Sequence, residues 1–93
     1  MIVGMAEIKI DMPWAQSLKE KRMVVQSIIA KTQNMFHISV AQTAEQDRIK
    51  TAVLGMAVVG NSAPFVSEML EKSIDYIQSI TEGDVTVLQK EMV

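Results

Sequence analysis

The run Ala52–Val59 limits the fold more than any other segment, because it contains no polar or charged side chain. Closed by Gly60-Asn61-Ser62, such a run predicts a central β-strand that is covered above and below. The segment Ile2–Met12 alternates instead, with apolar or small residues at the even positions and most charges at the odd ones. This period of two predicts a strand with one packed and one half-exposed face, and Pro13 ends it.

Two segments repeat apolar residues at helical spacing. The first starts with the capping-box pattern Ser17–Glu20 and is predicted to end near Asn34, a residue that tolerates left-handed geometry. The second is predicted to begin at Pro64, because proline favours the first helical turn. Gly83 is expected to end it as a left-handed residue just past the helix.

Two more strands, at Phe36–Thr43 and at Val85–Met92, complete the predicted order, and the strand around the central run is predicted to extend over 48–59. The order β-α-β-β-α-β within 93 residues predicts one domain over residues 1–93. This is the α+β, ferredoxin-like βαββαβ sandwich, a four-stranded antiparallel sheet with two helices on one face.

Composition excludes several classes of site. The chain has no cysteine, which excludes disulfides, thiolate metal sites and cysteine nucleophiles, and which suits a cytoplasmic protein. Its eight methionines show no metal-ligand spacing, so they are better explained as residues that fill the core or form an adaptable contact surface. No metal or cofactor is expected. No membrane-spanning run and no basic leader is recognisable, so we expect neither a membrane segment nor a signal peptide.

The functional sites known from other ferredoxin-like proteins are not recognisable in this sequence. The strands 2–12 and 48–59 hold no aromatic residue, which excludes base stacking on the inner strands. Met12–Gln16 lacks the Gly-rich loop and arginine of an acylphosphatase-like site. His37 is the only histidine, and we expect an ordinary surface or hairpin residue rather than a catalytic base. The sequence therefore predicts a protein that is not an enzyme.

Charge is unevenly distributed, with a net of +2 over the first fifty residues and −4 over the rest. Lys19, Lys21 and Arg22 lie in the first turn and a half of the first helix, where cations oppose the helix dipole. Lys21 also falls within the apolar sector of that helix. Either nearby carboxylates offset these charges on a solvated rim, or the helix start and its cations bind an anion such as RNA phosphate.

One face of the sheet is predicted to lack helices. If the helices cover the even residues of the first strand, Val3 and Met5 lie on the open face, joined by alternate residues of the central strand. The two possible sets are Val53, Gly55, Ala57 and Val59, or Ala52, Leu54, Met56 and Val58. An exposed apolar face predicts a homo-oligomer built by face-to-face packing of sheets, and the small residues of the first set would allow close approach.

Three segments carry a family resemblance: Ser17–Arg22 after a proline-containing loop, Phe36–Gln42, and Ala52–Val59. Through them the chain resembles, nearly end to end, a bacterial family of unknown function called YlxP-like. The resemblance implies a ferredoxin-like, oligomeric protein. Members tend to be encoded among translation and ribosome-maturation genes and the family has been linked to ribosome assembly, which implies a ribosome-associated factor without known catalysis.

Two positions depart from that family. Trp14 stands where a small residue is common, and Gly60–Ser62 replaces a more acidic turn. The indole of Trp14 is either a stacking platform beside Lys19 and Arg22 or a lid over the start of the first helix; since tryptophan is usually largely buried, we favour the lid.

Two functions remain open at this point. The first is a non-catalytic factor that binds a ribosomal subunit or rRNA, with phosphate contacts assigned to Lys19, Lys21, Arg22, Arg48 and Lys50. The second is a small-molecule or regulatory module that holds its ligand at a subunit interface, near Pro13–Ser17 or Gly60–Pro64.

Overall fold

The computed structural model describes residues 1–93, and its elements follow the predicted order. They are β1 Ile2–Asp11, α1 Leu18–Phe36, β2 Ser39–Ala44, β3 Thr51–Gly60, α2 Ala63–Ile80 and β4 Asp84–Met92. The four strands form one antiparallel sheet in the order β2-β3-β1-β4. The ferredoxin-like fold is confirmed.

The register of β1 against β3 separates the two faces of the sheet. Val3 pairs with Val59 and Met5 with Ala57, so these residues share the open face. The even residues of both strands point to the helices, and Ile8, Ile10 and Leu54 are completely buried there. Helix α1 adds Val25 and Ile28 to this core, and helix α2 adds Val66, Leu70, Ile74 and Ile77.

Helix α1 begins as predicted and ends later than predicted. The Ser17 hydroxyl accepts a hydrogen bond from the Glu20 backbone N–H at 3.1 Å. The helix continues past Asn34 to Phe36, whose ring packs edge-on against Tyr76 of α2 with 5.5 Å between ring centres. His37 then takes the left-handed conformation, with φ of 52°. Because Phe36 belongs to the helix, β2 begins only at Ser39.

The end of helix α2 corrects the prediction for Gly83. The helix is capped by Thr81 in an extended conformation, and no glycine of the chain has a positive φ. Gly83 instead allows a close approach of two backbones, because a Cβ there would lie 2.5 Å from the Asp11 carbonyl oxygen. Its lack of a side chain lets the start of β4 lie beside the end of β1.

Strand β4 forms one edge of the sheet and contains a bulge. Gln89 pairs with Glu7 and Val87 with Ile8, so Leu88 has no partner residue on β1. Leu88 is 48% exposed. An extra residue of this kind bends an edge strand and interrupts its regular row of hydrogen-bonding groups.

Candidate functional site

Lys21 lies inside the protein rather than on its surface. The residue is 1% exposed, and its Nζ donates hydrogen bonds to the carbonyl oxygens of Glu45, at 2.5 Å, and of Arg48. Desolvation of the ammonium group lowers the pKa of Lys21, and the Glu45 carboxylate only partly opposes this shift. The prediction that Lys21 contacts an external phosphate is therefore wrong. Its position on the apolar sector of the helix was the signal for burial.

Lys50, at the end of the β2–β3 loop, also donates to backbone carbonyls, and those carbonyls belong to the β1–α1 loop. Its Nζ donates hydrogen bonds to the carbonyl oxygens of Pro13, at 2.6 Å, and Ala15, at 3.0 Å. Its own carbonyl accepts from the Met12 N–H at 2.7 Å. Lys21 thus ties α1 to the β2–β3 loop, and Lys50 ties that loop to the β1–α1 loop. We call these two residues the lysine clamps.

The β2–β3 loop also holds Arg48. Glu45 turns the chain with φ of 62°, and its carbonyl accepts the Arg48 N–H at 3.2 Å. The Arg48 guanidinium lies 2.8 Å from the Glu45 carboxylate, and its side chain is 72% exposed. An exposed pair of this kind contributes little stability, so Arg48 presents its charge to solvent with an acidic neighbour beside it.

Lys19 and Arg22 are the predicted cations that remain free. Both are exposed on the first turns of α1, and neither forms a hydrogen bond or an ion pair through its side chain. Residues three apart on a helix are neighbours on its surface, so the two side chains form one small basic patch. The predicted set of five cations is thus reduced to two free ones.

Trp14 lies in the β1–α1 loop, against the hydrophobic core. The residue is half-buried and packs against the hydrophobic core. The edge of its ring would lie 3.3 Å from a Cβ on Gly83, so the indole spans the β1–α1 loop and the turn before β4. The ring covers the core at the start of α1, as a lid would.

The six residues predicted for the oligomer interface all lie on the open face of the sheet. They are Val3, Met5, Val53, Gly55, Ala57 and Val59, and the β1–β3 register brings them together. Val59 is 63% exposed and Met5 39%, whereas Val53 is only 5% exposed. The prediction that β3 is covered on both faces is therefore wrong at the end of the strand that carries Val59. Phe65, 49% exposed, lies next to Gly60 at that end.

The other half of the open face is polar. One carboxylate oxygen of Glu7 accepts a hydrogen bond from the Thr43 hydroxyl at 2.8 Å, and the other accepts from the Gln89 side-chain amide at 3.2 Å. The row Thr43–Glu7–Gln89 thus joins β2, β1 and β4, and it crosses β3 at Gly55. A Cβ on Gly55 would lie 2.6 Å from the Thr43 methyl carbon, so glycine makes room for the row.

A depression of about 500 Å³ lies over this face. Its lining includes the apolar or small residues Met5, Gly55 and Ala57 and the polar residues Glu7, Gln89 and Glu91. No lysine or arginine lines it. No depression involves the loop Pro13–Ser17, where one was expected. Near the other expected position, a depression of about 260 Å³ is lined by Val59 and Phe65, which lie on either side of Gly60–Pro64.

Sequence reasoning missed the contacts of Thr43, Glu7 and Gln89. Glu7 could be placed on the open face from the alternation of β1, but its partners lie 36 and 82 residues away along the chain. Their meeting depends on how all four strands are aligned with one another, which a single sequence does not reveal.

Two further classes of feature are absent from the structure. No group of three or more His, Asp or Glu side chains is arranged to hold a metal ion. Neither helix combines the length and the hydropathy that crossing a membrane requires.

Comparison with known proteins shows the family and the fold of the chain. The family model described as "Protein of unknown function (DUF503)" matches residues 3–90. The chain belongs to this family. It is 31% identical over 90 residues to the uncharacterised protein YlxP of Bacillus subtilis (strain 168), a match that covers 97% of this chain and 98% of YlxP.

The fold is also similar to that of a solved structure. A de novo designed protein with a ferredoxin fold, determined by solution NMR, superposes with a TM-score of 0.63. The match covers 96% of this chain and 87% of the designed protein, at 16% sequence identity. At that identity the likeness concerns the fold alone.

Proposed function

We propose that this DUF503 protein is a non-catalytic, cytoplasmic binding factor that self-associates through the open face of its sheet and associates with ribosomal RNA. The observation that carries the proposal is the exposed apolar half of that face. Support for the RNA partner comes from the basic patch of Lys19 and Arg22 and from the resemblance to the YlxP-like family.

Self-association is supported by the contiguity of the exposed apolar side chains. Val3, Met5, Ala57 and Val59 are cross-strand neighbours on the open face, and Met5 and Val59 are the most exposed of them. Contiguous apolar surface on a soluble protein usually marks an interface. A two-fold arrangement would place this half of the sheet against its own copy.

RNA association is supported by free charge on a rigid element. Lys19 and Arg22 lie on the first turns of a 19-residue helix whose start is held by Ser17 and by Lys21. Cations that have no acidic partner can neutralise phosphate without first breaking an ion pair. A net charge of −2 for the chain confines such contacts to this patch.

Sedimentation at micromolar concentration tests the self-association. The wild type is expected to sediment as a dimer or larger species, and Val59→Lys as a monomer, because the new charge would be buried in the interface. Met23→Lys is the matched control, since Met23 on α1 is 64% exposed and Val59 63%. A wild-type species of 10.3 kDa, or equal behaviour of both variants, would contradict this part of the proposal.

Binding to purified ribosomal subunits tests the RNA contact. The double variant Lys19→Ala/Arg22→Ala is expected to bind more weakly, with the slope of log affinity against log salt reduced by roughly 1 per lost phosphate contact. Lys31→Ala/Lys72→Ala makes the same change in charge elsewhere on the helices and is expected to bind normally. Binding that is independent of salt, or unchanged in the first variant, would exclude the role.

A second candidate function rests on the depression over the open face. An oligomeric ferredoxin-like module could hold a small molecule there, between subunits, since its volume lies within the usual range for ligand sites.

A further inference from the structure

We propose that the depression over the open face binds a small organic cation, a guanidinium or alkylammonium compound with a short aliphatic body. The inference deepens the second candidate function, because it names the chemical class of the ligand. It differs from that candidate in one respect: the depression is formed by one subunit, so binding does not depend on the oligomer.

The charge of the lining selects a cation. Glu7 and Glu91 both line the depression, and no cationic side chain does. The nearest cation along β1 is Lys9, whose ammonium group lies 3.7 Å from the Asp11 carboxylate. The Glu7 carboxylate forms no ion pair and so keeps an uncompensated negative charge beside the depression. Anionic ligands are repelled from such a site, and cations are attracted to it.

The Glu7 carboxylate is held in one orientation. Thr43 and Gln89 each donate to a different oxygen, and because both donors are neutral they fix the group without cancelling its charge. Each oxygen keeps a further acceptor position. A guanidinium or ammonium group could use these positions through charge-assisted hydrogen bonds, which are the stronger kind. Little conformational entropy would be lost on binding, because the acceptor is already ordered.

The remaining lining fits an aliphatic body. Met5 and Ala57 supply apolar surface next to the carboxylate, and Gly55 adds no side chain of its own. The volume of about 500 Å³ accommodates a small organic molecule. An inorganic metal ion fits poorly, since no group of three His, Asp or Glu side chains is found here or elsewhere on the chain.

A second copy of the chain does not fit this half of the face. Its own Glu7 and Glu91 would oppose the same residues if the polar halves packed together, and like charges in contact are costly. The apolar half, at Val3 and Val59, carries no charged residue on β1 or β3. The Val3 and Val59 end of the face can therefore take a different partner from the depression, and the two surfaces share only Met5 and Ala57.

The test is an NMR titration of the isotope-labelled full chain with butylguanidine, butylamine and the neutral analogue butylurea. Saturable shifts of the Glu7, Gly55 and Gln89 amide signals are expected with both cations and to weaken with salt. Butylurea has nearly the shape of butylguanidine but no charge, so its affinity is expected to be lower by roughly ten-fold or more. Equal affinity for butylurea, or no saturation with either cation, would overturn the proposal.

Two variants separate charge from shape. Glu7→Gln keeps the size of the side chain and is expected to reduce cation affinity by roughly ten-fold or more, and Glu91→Gln to a smaller extent. Glu82→Gln is the control, because it removes one exposed carboxylate from the turn before β4, away from the depression. If Glu7→Gln and Glu91→Gln both bind butylguanidine as Glu82→Gln does, the site is refuted. Should Glu7→Gln not fold, Glu91→Gln alone decides the outcome.

Failure of this inference can be told apart from failure of the proposed self-association. Val59→Lys is expected to sediment as a monomer while it still binds butylguanidine, because Val59 does not line the depression. Loss of cation binding in this monomer would contradict a site contained within one subunit. Monomeric wild-type protein that binds the cation would refute self-association alone.

Discussion

Charged side chains have opposite roles in two regions: the end of the molecule that holds the β1–α1 and β2–β3 loops, here called the loop end, and the open face of the sheet. At the loop end, the ammonium groups of the lysine clamps donate to backbone carbonyls, so these charges hold segments of the same chain together. On the open face, the Glu7 carboxylate accepts hydrogen bonds from two neutral side chains and from no cation. The partner of a charged group, more than its residue type, therefore decides whether its charge is available to a ligand.

The lysine clamps are expected to contribute the largest effect on stability. Lys21→Met removes the donor of two carbonyl groups in the β2–β3 loop, and we expect the free energy of unfolding to fall by about 1–3 kcal/mol. Lys19→Met is the control on the same helix, with an expected change within about 0.5 kcal/mol. Urea unfolding measures both. Equal values for the two variants would show that Lys21 does not support the loop.

The dependence of this effect on pH sharpens the comparison. Because desolvation lowers the pKa of Lys21, the unfolded chain holds a proton that the folded chain releases, at pH values between the lowered pKa and the ordinary 10.5. Stability then rises with pH in that window, by at most about 1.4 kcal/mol per pH unit. A neutral amine still has two N–H groups for the two carbonyls.

Unfolding of the wild type and of Lys21→Met over this pH range measures the difference. The advantage of the wild type is expected to grow as the pH rises from the lowered pKa of Lys21 towards 10.5. Other groups titrate in both proteins and cancel in the comparison. A constant or shrinking advantage would contradict the inferred cost of burying the ammonium group.

The polar row on the open face is expected to show a smaller, conditional effect. Gly55→Ala places a Cβ 2.6 Å from the Thr43 methyl carbon, and displacing Thr43 weakens its bond to Glu7, for a loss of about 1 kcal/mol. In a Thr43→Ser background the clashing methyl is gone and the hydroxyl remains. Gly55→Ala should be neutral or stabilising there. Equal losses in both backgrounds, measured by urea unfolding, would refute the steric explanation.

The smallest effect is expected for Arg48. Its ion pair with Glu45 is largely exposed, so Arg48→Ala is expected to change the free energy of unfolding by no more than about 0.5 kcal/mol. The Arg48 carbonyl that accepts from Lys21 stays in place. A loss comparable to that of Lys21→Met would mean that the side chain, and not only the backbone, holds the loop.

Much of the fold could be predicted because it depends on local patterns. The alternation of β1 and the apolar run of β3 identified the two central strands, and Ser17 marked the start of α1. The ends of the helices were less accessible. Helix α1 extends to Phe36, which packs against Tyr76 forty residues away, and Gly83 serves a contact with Asp11 rather than a cap.

The candidate sites could be predicted only in part. The apolar residues of the open face followed from the period of two, once the helices were assigned to one side. The carbonyls that receive Lys21 belong to a loop 24 and 27 residues further along the chain, and no pattern in the sequence indicates them. The sequence therefore suggested a binding site of five cations. Two of them, Lys21 and Lys50, hold loops of the same chain instead.

The bulge in β4 has a consequence for how copies of this protein can assemble. An edge strand with a regular backbone would allow one sheet to continue into the next without limit, producing filaments. The extra residue Leu88 breaks that continuity. The self-association proposed above would then use the flat surface of the sheet, where a pair of subunits would close on itself and growth would stop.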